Sequence, residues 1–206
     1  MYDGIIFDVD GTIWDSTPVV EEAWNAALAE AGYKERVTAD RLKGLFGLPM
    51  DDIIADILPE ASAEERADFA PKCYRNEHDY LSERGGIVYE GIGEMFKTLA
   101  VNYPLFIVSN CQAGYIELML EKTGYGEYIT DHLCPGDTDK LKADNIRIIC
   151  ERNGIRKPLY VGDTQMDANA CREAGVPIAY CAYGFGQVKE PDYVINSPME
   201  LVDTLG

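Results

Sequence analysis

The sequence predicts an α/β protein built on a doubly wound parallel sheet, with an all-helical domain inserted after the first strand. The strands are predicted by continuously apolar runs that end in turn-forming or acidic residues: Ile5–Val9, Leu105–Val108, Leu159–Val161, Ile178–Ala182 and Tyr193–Ile195. Such runs are typical of strands that are buried on both faces of a parallel sheet. Helical patterns lie between them, and this alternation of strand and helix predicts the doubly wound core.

Glycines mark the ends of the helices between the later strands. Ile146 and Ile149 lie on one face of a predicted helix, and Gly154 supplies its stop signal. Gly175 ends the next helical pattern in the same way, directly before the Ile178–Ala182 run. Each of these helices therefore leads back into a strand, as a crossover connection between parallel strands requires.

The segment between the first and second predicted strands interrupts the alternation. Thr17-Pro18 is a helix-start signal, and apolar residues recur at helical spacing through Val20–Ala31. Glycine and proline then separate shorter helical stretches, and no strand pattern appears among them. We therefore expect residues 16–83 to form a helical domain, and residues 1–15 and 84–206 to form the α/β core.

The composition and net charge limit the classes of partner that the protein is expected to bind. The chain has 206 residues and a formal net charge of −18 at pH 7. Because no basic stripe exists to displace the counterions of phosphates, nucleic acid is not an expected partner. There is no basic leader, no apolar run long enough to span a bilayer and no Cys-x-x-Cys pair, so the sequence predicts a cytoplasmic protein without membrane contact. A monomer is the default expectation at this size.

The strongest chemical signal is the run Phe7–Thr12 (Phe-Asp-Val-Asp-Gly-Thr), which directly follows the first apolar strand. Asp8 and Asp10 are two residues apart, so both carboxylates point to one side if the strand continues. This is the end of a parallel strand at which α/β sheets bind ligands, and a divalent cation would relieve the repulsion between the two acids. Gly11 lets the backbone approach an anion closely. Taken alone, the run also fits aspartates that cap a turn.

Two later strand ends carry complementary groups. Ser109 and Asn110 follow the second predicted strand, and their hydroxyl and amide groups can donate hydrogen bonds to phosphoryl oxygens. Asp163 and Asp167 follow the third, and a helix that begins between them would bring both toward one point. Asp163 could thus complete an oxygen-rich magnesium site with Asp8. An N-cap is a good explanation for one of these carboxylates but a poor one for the set.

A lysine-containing stretch, Asp137–Asn145, lies between these two strand ends. A phosphoryl group that gains or loses charge is stabilised by a fixed cation beside it. Lys142 stands at the predicted start of the helix that runs through Ile146 and Ile149, and it is the better candidate for this cation. Lys140 is the alternate.

These four signatures, in this order, resemble those of the haloacid dehalogenase-like phosphohydrolases, and the resemblance covers nearly the whole chain. The insert resembles the helical cap of the phosphoglycolate phosphatase group, and Gly47-Leu48-Pro49 resembles its cap loop. The resemblance implies a Rossmann-like core, Mg²⁺ as cofactor and phosphatase activity on a small phosphorylated metabolite. One departure concerns the lysine, which in the family is often followed by proline, whereas Ala143 follows Lys142 here.

The resemblance also implies a role for each matching residue. Asp8 would be the nucleophile that forms an aspartyl-phosphate, and Asp10 the general acid and base. Asp8, Asp163 and the backbone carbonyl of Asp10 would hold Mg²⁺, while Asp167 would act through water or by holding the catalytic Lys142. The residues implied in phosphate binding and orientation are Gly11, Thr12, Ser109 and Asn110.

The substrate stays open at this point, with phosphoglycolate, a sugar phosphate or a nucleotide as candidates and with Arg41, Lys43 and the Gly47 loop as plausible contacts. The main alternative is a phosphomutase of the β-phosphoglucomutase kind, which shares the core and the cap. An arginine of that group's cap motif is missing here, where Phe46 stands. A catalytically idle phospholigand-binding protein is a third hypothesis. Dehalogenases of the family lack the second aspartate, which is present here as Asp10.

Overall fold

The computed structural model describes residues 2–205, which form a six-stranded parallel sheet with helices on both faces and a bundle of four helices beside its carboxyl edge. The strands are β1 (Gly4–Phe7), β2 (Trp14–Asp15), β3 (Ile87–Val88), β4 (Leu105–Val108), β5 (Ile129–Leu133), β6 (Pro158–Gly162), β7 (Ile178–Cys181) and β8 (Tyr193–Ile195). The helices are α1 (Thr17–Glu30), α2 (Ala39–Leu45), α3 (Met50–Ile57), α4 (Ala63–Arg84), α5 (Ile92–Leu99), α6 (Tyr115–Thr123), α7 (Pro135–Thr138), α8 (Lys142–Asn153), α9 (Gln165–Ala174) and α10 (Pro198–Leu205), and residues Tyr125–Tyr128 form a 3₁₀ turn.

The large sheet has the strand order β5-β4-β1-β6-β7-β8, and every neighbouring pair in it is parallel. The chain moves outward from β1 on one side through β4 to β5 and then returns to β6 on the other side. This reversal makes the carboxyl end of β1 the switch point, where doubly wound sheets bind ligands. The predicted α/β class with a doubly wound, Rossmann-like sheet is therefore confirmed.

The apolar runs are buried on both faces, as their composition predicted. Ile5 and Phe7 belong to the hydrophobic cluster on one face of the sheet, and Ile6 belongs to the cluster on the other. All three side chains are completely buried. Both faces are covered because the crossover helices lie on each of them, and a strand in that environment has no position for a polar residue.

Two strand features escaped the sequence patterns. The edge strand β5 reads Ile-Thr-Asp-His-Leu, and only Leu133 in it is buried, so no apolar run marked it. The two-residue strands β2 and β3 pair antiparallel, with Trp14 opposite Val88. They are too short to give a sequence pattern. In the chain, β2 directly precedes α1 and β3 directly follows α4, so their pairing brings the two ends of the four-helix bundle together.

The bundle α1–α4 lies between β2 and β3 in the chain, and α1 packs along α4. Trp24 on α1 donates a hydrogen bond to the Glu77 carboxylate on α4, at 2.8 Å, and both side chains are buried. A loop between α2 and α3 touches the core, where Asn110 Nδ2 donates to the Gly47 carbonyl at 2.8 Å. None of the helices among residues 2–205 has the length and apolarity that crossing a bilayer requires.

Candidate active site

The residues singled out in the sequence meet at the carboxyl edge of the sheet. Asp8 follows β1, Ser109 follows β4 and Asp163 follows β6, and these three strands are neighbours. The Asp8 backbone amide still donates to the Val161 carbonyl at 2.9 Å, so the ladder continues one residue beyond β1 and fixes where the aspartate stands. Lys142 is the first residue of α8 and reaches the same edge from that helix.

Lys142 forms two buried ion pairs in this cluster. Its ammonium lies 3.1 Å from Asp8 Oδ1 and 2.6 Å from Asp167 Oδ1, and each of the three residues is at most 4% exposed. Burial acts to lower the pKa of Lys142, but the carboxylates of Asp167 and Asp8 outweigh it and raise that pKa above its ordinary value. The two carboxylates therefore favour the charged form of Lys142. Lys140, the alternate candidate, is exposed to solvent.

Asp167 is held at the first turn of α9 by a capping box. Its Oδ2 accepts from the Thr164 amide at 2.9 Å and the Thr164 hydroxyl at 2.7 Å, and the Thr164 hydroxyl accepts from the Asp167 amide. Burial alone would raise its pKa, but Lys142 and the hydrogen bonds from Thr164 hold the pKa of Asp167 below its usual range. Both oxygens are therefore occupied, one by the helix cap and one by the lysine.

Asp163 fits into a space that two glycines leave open. A Cβ on Gly11, whose φ is +78°, would lie 2.1 Å from Asp163 Oδ2, and a Cβ on Gly184 would lie 2.3 Å from Asp163 Cβ. The carboxylate accepts from the Phe185 amide at 2.7 Å, and the Thr12 hydroxyl lies 3.5 Å from its other oxygen. Gly11 therefore makes room for the Asp163 carboxylate. The sequence predicted that the backbone at Gly11 approaches an anion closely, and the structure places a particular side chain there.

Asp10 is fixed by two hydroxyl groups that belong to no sequence motif. The Tyr115 hydroxyl lies 2.9 and 2.8 Å from its two oxygens, and Ser16 Oγ donates to Oδ1. Burial raises the pKa of Asp10 to about 7, and the hydrogen bonds from Ser16 and Tyr115 act against this rise. A carboxyl group with this pKa exchanges a proton readily near neutral pH.

The acids at this edge fit a divalent cation. One oxygen from each of Asp8, Asp163 and Asp167 lies within 4.8 Å of the others, and all three residues are buried. Asp8 Oδ1 lies in the ion pair with Lys142 but accepts no hydrogen bond of regular geometry from the described residues. Burial raises the pKa of Asp8 to about 6. Burial and the neighbouring Asp167 and Asp8 also raise the pKa of Asp163 well above normal. Carboxylates that resist ionisation in this way gain most from a bound cation.

The remaining predicted residues surround this cluster in different ways. Thr12 and Ser109 are buried, and Ser109 lines the cavity above Asp8. Asn110 also lines that cavity, but its amide nitrogen is engaged with the Gly47 carbonyl. The structure therefore brings all the predicted residues to one place and gives Asn110 a contact that the sequence did not predict.

A cavity of about 510 Å³ opens above the sheet edge. Its floor includes Asp8, Asp10, Ser109 and Lys142, and its opposite wall comes from the helical bundle. Such a volume accommodates a small organic ligand. The bundle-side residues include Trp24, Phe46, Leu48, Ile53, Tyr74 and Glu77. The sequence predicted none of these as site residues except Leu48, which belongs to the Gly47-Leu48-Pro49 loop.

Comparison with known proteins agrees with this architecture. Residues 5–181 match the haloacid dehalogenase-like hydrolase family, and the chain belongs to that family. A phosphoglycolate phosphatase of Photobacterium profundum is 28% identical over 98% of this chain and 94% of its own. The phosphoglycolate phosphatase of Escherichia coli (strain K12) is 25% identical over 98% of this chain and 92% of its own.

A solved structure shows the same fold. A haloacid dehalogenase-like hydrolase of Streptococcus pneumoniae superposes with a TM-score of 0.83 at 21% identity, covering 100% of this chain and 99% of that one. The family match and the full-length phosphatase relatives confirm the prediction of a haloacid dehalogenase-like phosphoric monoester hydrolase.

Proposed function

We propose that this chain is a Mg²⁺-dependent phosphatase that hydrolyses small phosphate monoesters through an aspartyl-phosphate on Asp8. One observation carries the proposal: Asp8 opens onto the cavity while Lys142 holds it from one side and Asp163 lies beside it. A carboxylate in that position can attack phosphorus, and the charges around it suit an incoming phosphoryl group.

Asp8, Asp163 and the backbone carbonyl of Asp10 would hold the Mg²⁺ ion. The donor set consists of oxygens only, which is what Mg²⁺ prefers, and Asp167 is occupied by Lys142 and the α9 cap. When bound, the cation neutralises charge on the phosphoryl oxygens and on the two carboxylates. This local positive charge also answers the problem of an acidic protein with an anionic substrate, because dispersed surface acids are screened beyond about 8–10 Å.

In the first half-reaction, an Asp8 oxygen attacks phosphorus in line with the ester bond. A new phosphorus–oxygen bond to Asp8 forms as the bond to the leaving oxygen breaks, and Asp10 gives that oxygen its proton. Ser16 and Tyr115 hold Asp10 in position, and its pKa of about 7 provides a population of the protonated acid. Lys142 and Ser109 stabilise the charge on the transferring group.

In the second half-reaction, water replaces the leaving group. Asp10, now ionised, takes a proton from this water as it attacks phosphorus, and the bond to Asp8 breaks. Phosphate leaves with the water oxygen, and both aspartates return to their first state. The Phe185 amide holds Asp163 in the space that Gly11 leaves through both steps, so the charges need not rearrange during the reaction.

The helical segment, residues 16–83, would act as a cap over this chemistry. Its Gly47 loop contacts Asn110 and the cavity lies beneath it, so closure would keep bulk water from the first step. The candidate substrates remain phosphoglycolate, sugar phosphates and nucleotides, and the relatives named above favour the first by name. We propose a cytoplasmic enzyme that acts as a monomer, consistent with its composition.

Release of phosphate from p-nitrophenyl phosphate tests the proposal. We expect turnover that EDTA removes and excess Mg²⁺ restores, and we expect Asp8→Asn to lower kcat by at least about 10³-fold because the nucleophile is gone. The exposed α4 residue Asp68 gives a matched control, since Asp68→Asn makes the same chemical change away from the site. Full activity of Asp8→Asn would refute the proposal. Conversion of a sugar 1-phosphate to its 6-phosphate without phosphate release would favour the mutase.

A further inference from the structure

The wall of the cavity that faces the catalytic edge is mainly apolar and aromatic. Trp24 from α1, Tyr74 from α4 and Ile53 from α3 contribute to it, together with Phe46 and Leu48 from the loop. Trp24 and Phe46 lie with ring centroids 6.3 Å apart. In the proposed mechanism the phosphoryl group lies on the floor at Asp8, so the rest of the substrate would meet this surface.

One charged side chain is buried in this wall. Glu77 is 5% exposed, its Oε2 accepts from Trp24 Nε1 at 2.8 Å, and its Oε1 accepts from Gln112 Nε2 at 3.0 Å. Each oxygen therefore has one donor and keeps an unused lone pair. Burial raises the pKa of Glu77 to about 7 in spite of these two hydrogen bonds, so the group is a carboxylate in mildly alkaline solution.

Within residues 2–205, no basic side chain balances Glu77 on this wall. Among the described residues that line the cavity, the basic ones are Lys140 and Lys142, which both come from the core. Arg41 is paired with Asp56 at 2.7 Å and Lys43 with Asp15 at 3.1 Å, and neither of these helix α2 cations lines the cavity. The sequence-based expectation that Arg41 and Lys43 contact the substrate therefore has no support in the structure.

Resting on the proposed phosphatase function, we propose that Glu77 selects the leaving group of the substrate. It accepts a hydrogen bond from a hydroxyl or ammonium group of the leaving group, and it repels a second anionic group. A carboxylate placed there would meet a buried like charge in an apolar wall that offers no cation among the described residues, since Lys140 and Lys142 belong to the core side of the cavity. Phosphoglycolate, the substrate that the relatives' names suggest, is therefore a poor substrate for this chain.

Three esters of nearly equal size test this selection in the unmodified enzyme. The probes are 2-phosphoglycolate, 2-hydroxyethyl phosphate and O-phosphoethanolamine, which end in a carboxylate, a hydroxyl and an ammonium group. With Mg²⁺ near pH 8, we expect kcat/KM for each of the last two to exceed that for 2-phosphoglycolate by at least about tenfold, the size of one charge-assisted hydrogen bond. Equal or better turnover of 2-phosphoglycolate would overturn the selection, as would failure of all three while p-nitrophenyl phosphate is hydrolysed.

The Glu77→Gln variant identifies the residue responsible. It keeps the side-chain size and an acceptor for Trp24 but removes the charge, so we expect the ratio between hydroxyl and carboxylate esters to fall toward one. Glu83→Gln, an exposed residue on the same helix, is the control and should keep the wild-type ratio. An unchanged ratio in Glu77→Gln would overturn the assignment to Glu77. If p-nitrophenyl phosphate is not hydrolysed by the unmodified enzyme, the phosphatase proposal itself has failed, which is a distinguishable result.

Discussion

The two walls of the cavity are built on opposite principles. At the sheet edge, the ionisable side chains of Asp8, Lys142, Asp163 and Asp167 are buried together. Lys142 links Asp8 to Asp167 through ion pairs of 3.1 and 2.6 Å. On the helical wall, Glu77 is buried, and the donors that its carboxylate meets, Trp24 and Gln112, are neutral. The first wall concentrates charge for a reaction that moves charge, and the second presents a mostly apolar and aromatic surface in which the Glu77 carboxylate is buried.

This difference separates catalysis from selection within one cavity. Phosphoryl transfer depends on fixed positions and on neutralised charge, which a rigid sheet edge supplies through short contacts. Selection of a leaving group depends on which surface the rest of the substrate meets, and a helical cap can present a different surface without moving the catalytic residues. The walls should therefore respond differently to substitution.

Removal of the catalytic-edge cation should have the largest effect. In Lys142→Ala, the buried Asp8 and Asp167 lose their shared partner, and the transferring group loses a fixed positive charge. We expect kcat for p-nitrophenyl phosphate to fall by at least about 100-fold, and by a similar factor for every other substrate. Steady-state kinetics with the three esters would show whether their ratios are preserved.

Lys140→Ala serves as the matched variant for this test. Lys140 is two residues away, exposed, and makes no ion pair among the described residues, so its loss should change kcat far less than that of Lys142. The reverse outcome, a large loss in Lys140→Ala and a small one in Lys142→Ala, would contradict the placement of the catalytic lysine.

The sheet edge could be predicted from the sequence because its residues follow strand ends. Asp8, Ser109 and Asp163 each come directly after an apolar run, and a parallel sheet brings neighbouring strand ends together. The order of the strands was not needed for this, since any doubly wound sheet places β1 near the switch point. Lys142 was identified by its place at a helix start, and the structure gives it the contacts that Lys140 lacks.

The helical wall and the supports of Asp10 could not be predicted in this way. Tyr115 reaches Asp10 across 105 residues of sequence, and Glu77 reaches Trp24 across 53. Such contacts arise from the packing of helices, and a helical pattern shows which face is buried but not which partner it meets. A glutamate in a helix is also typical of a solvated surface, so nothing in the pattern marked Glu77 as buried.

The pH dependence of the free energy of unfolding should be a smaller effect than the loss of activity in Lys142→Ala. Ionisable groups on both walls should contribute to it. Burial raises the pKa to about 6 for Asp8 and to about 7 for Asp10 and Glu77. The folded, metal-free protein therefore binds more protons than the unfolded chain between about pH 4 and 7, and its free energy of unfolding should fall as pH rises through this range. Asp167, whose pKa is lowered, acts in the opposite sense, but only below about pH 4.

Urea denaturation in EDTA at several pH values measures this loss. We expect the free energy of unfolding to fall by more than about 1.4 kcal/mol between pH 5 and 8, the amount that a shift of one pKa unit in a single group supplies. Added Mg²⁺ should recover stability near pH 8 by binding at the sheet edge, whereas Glu77→Gln should make the decline shallower without metal. A free energy of unfolding that is constant or rises with pH in EDTA would contradict the raised pKa values.

The smallest effect should come from the contact between the two walls. Asn110 was predicted to bind phosphate, but its amide donates to the Gly47 carbonyl of the bundle loop at 2.8 Å. If its main role is to position that loop, Asn110→Ala removes one neutral hydrogen bond, and kcat/KM should fall only by about 2–10-fold. The loss should appear mainly in KM and should differ among the three esters, because the loop forms part of the selecting wall. A loss in kcat that is equal for all three esters would instead mean that Asn110 acts on the phosphoryl group, as the sequence predicted.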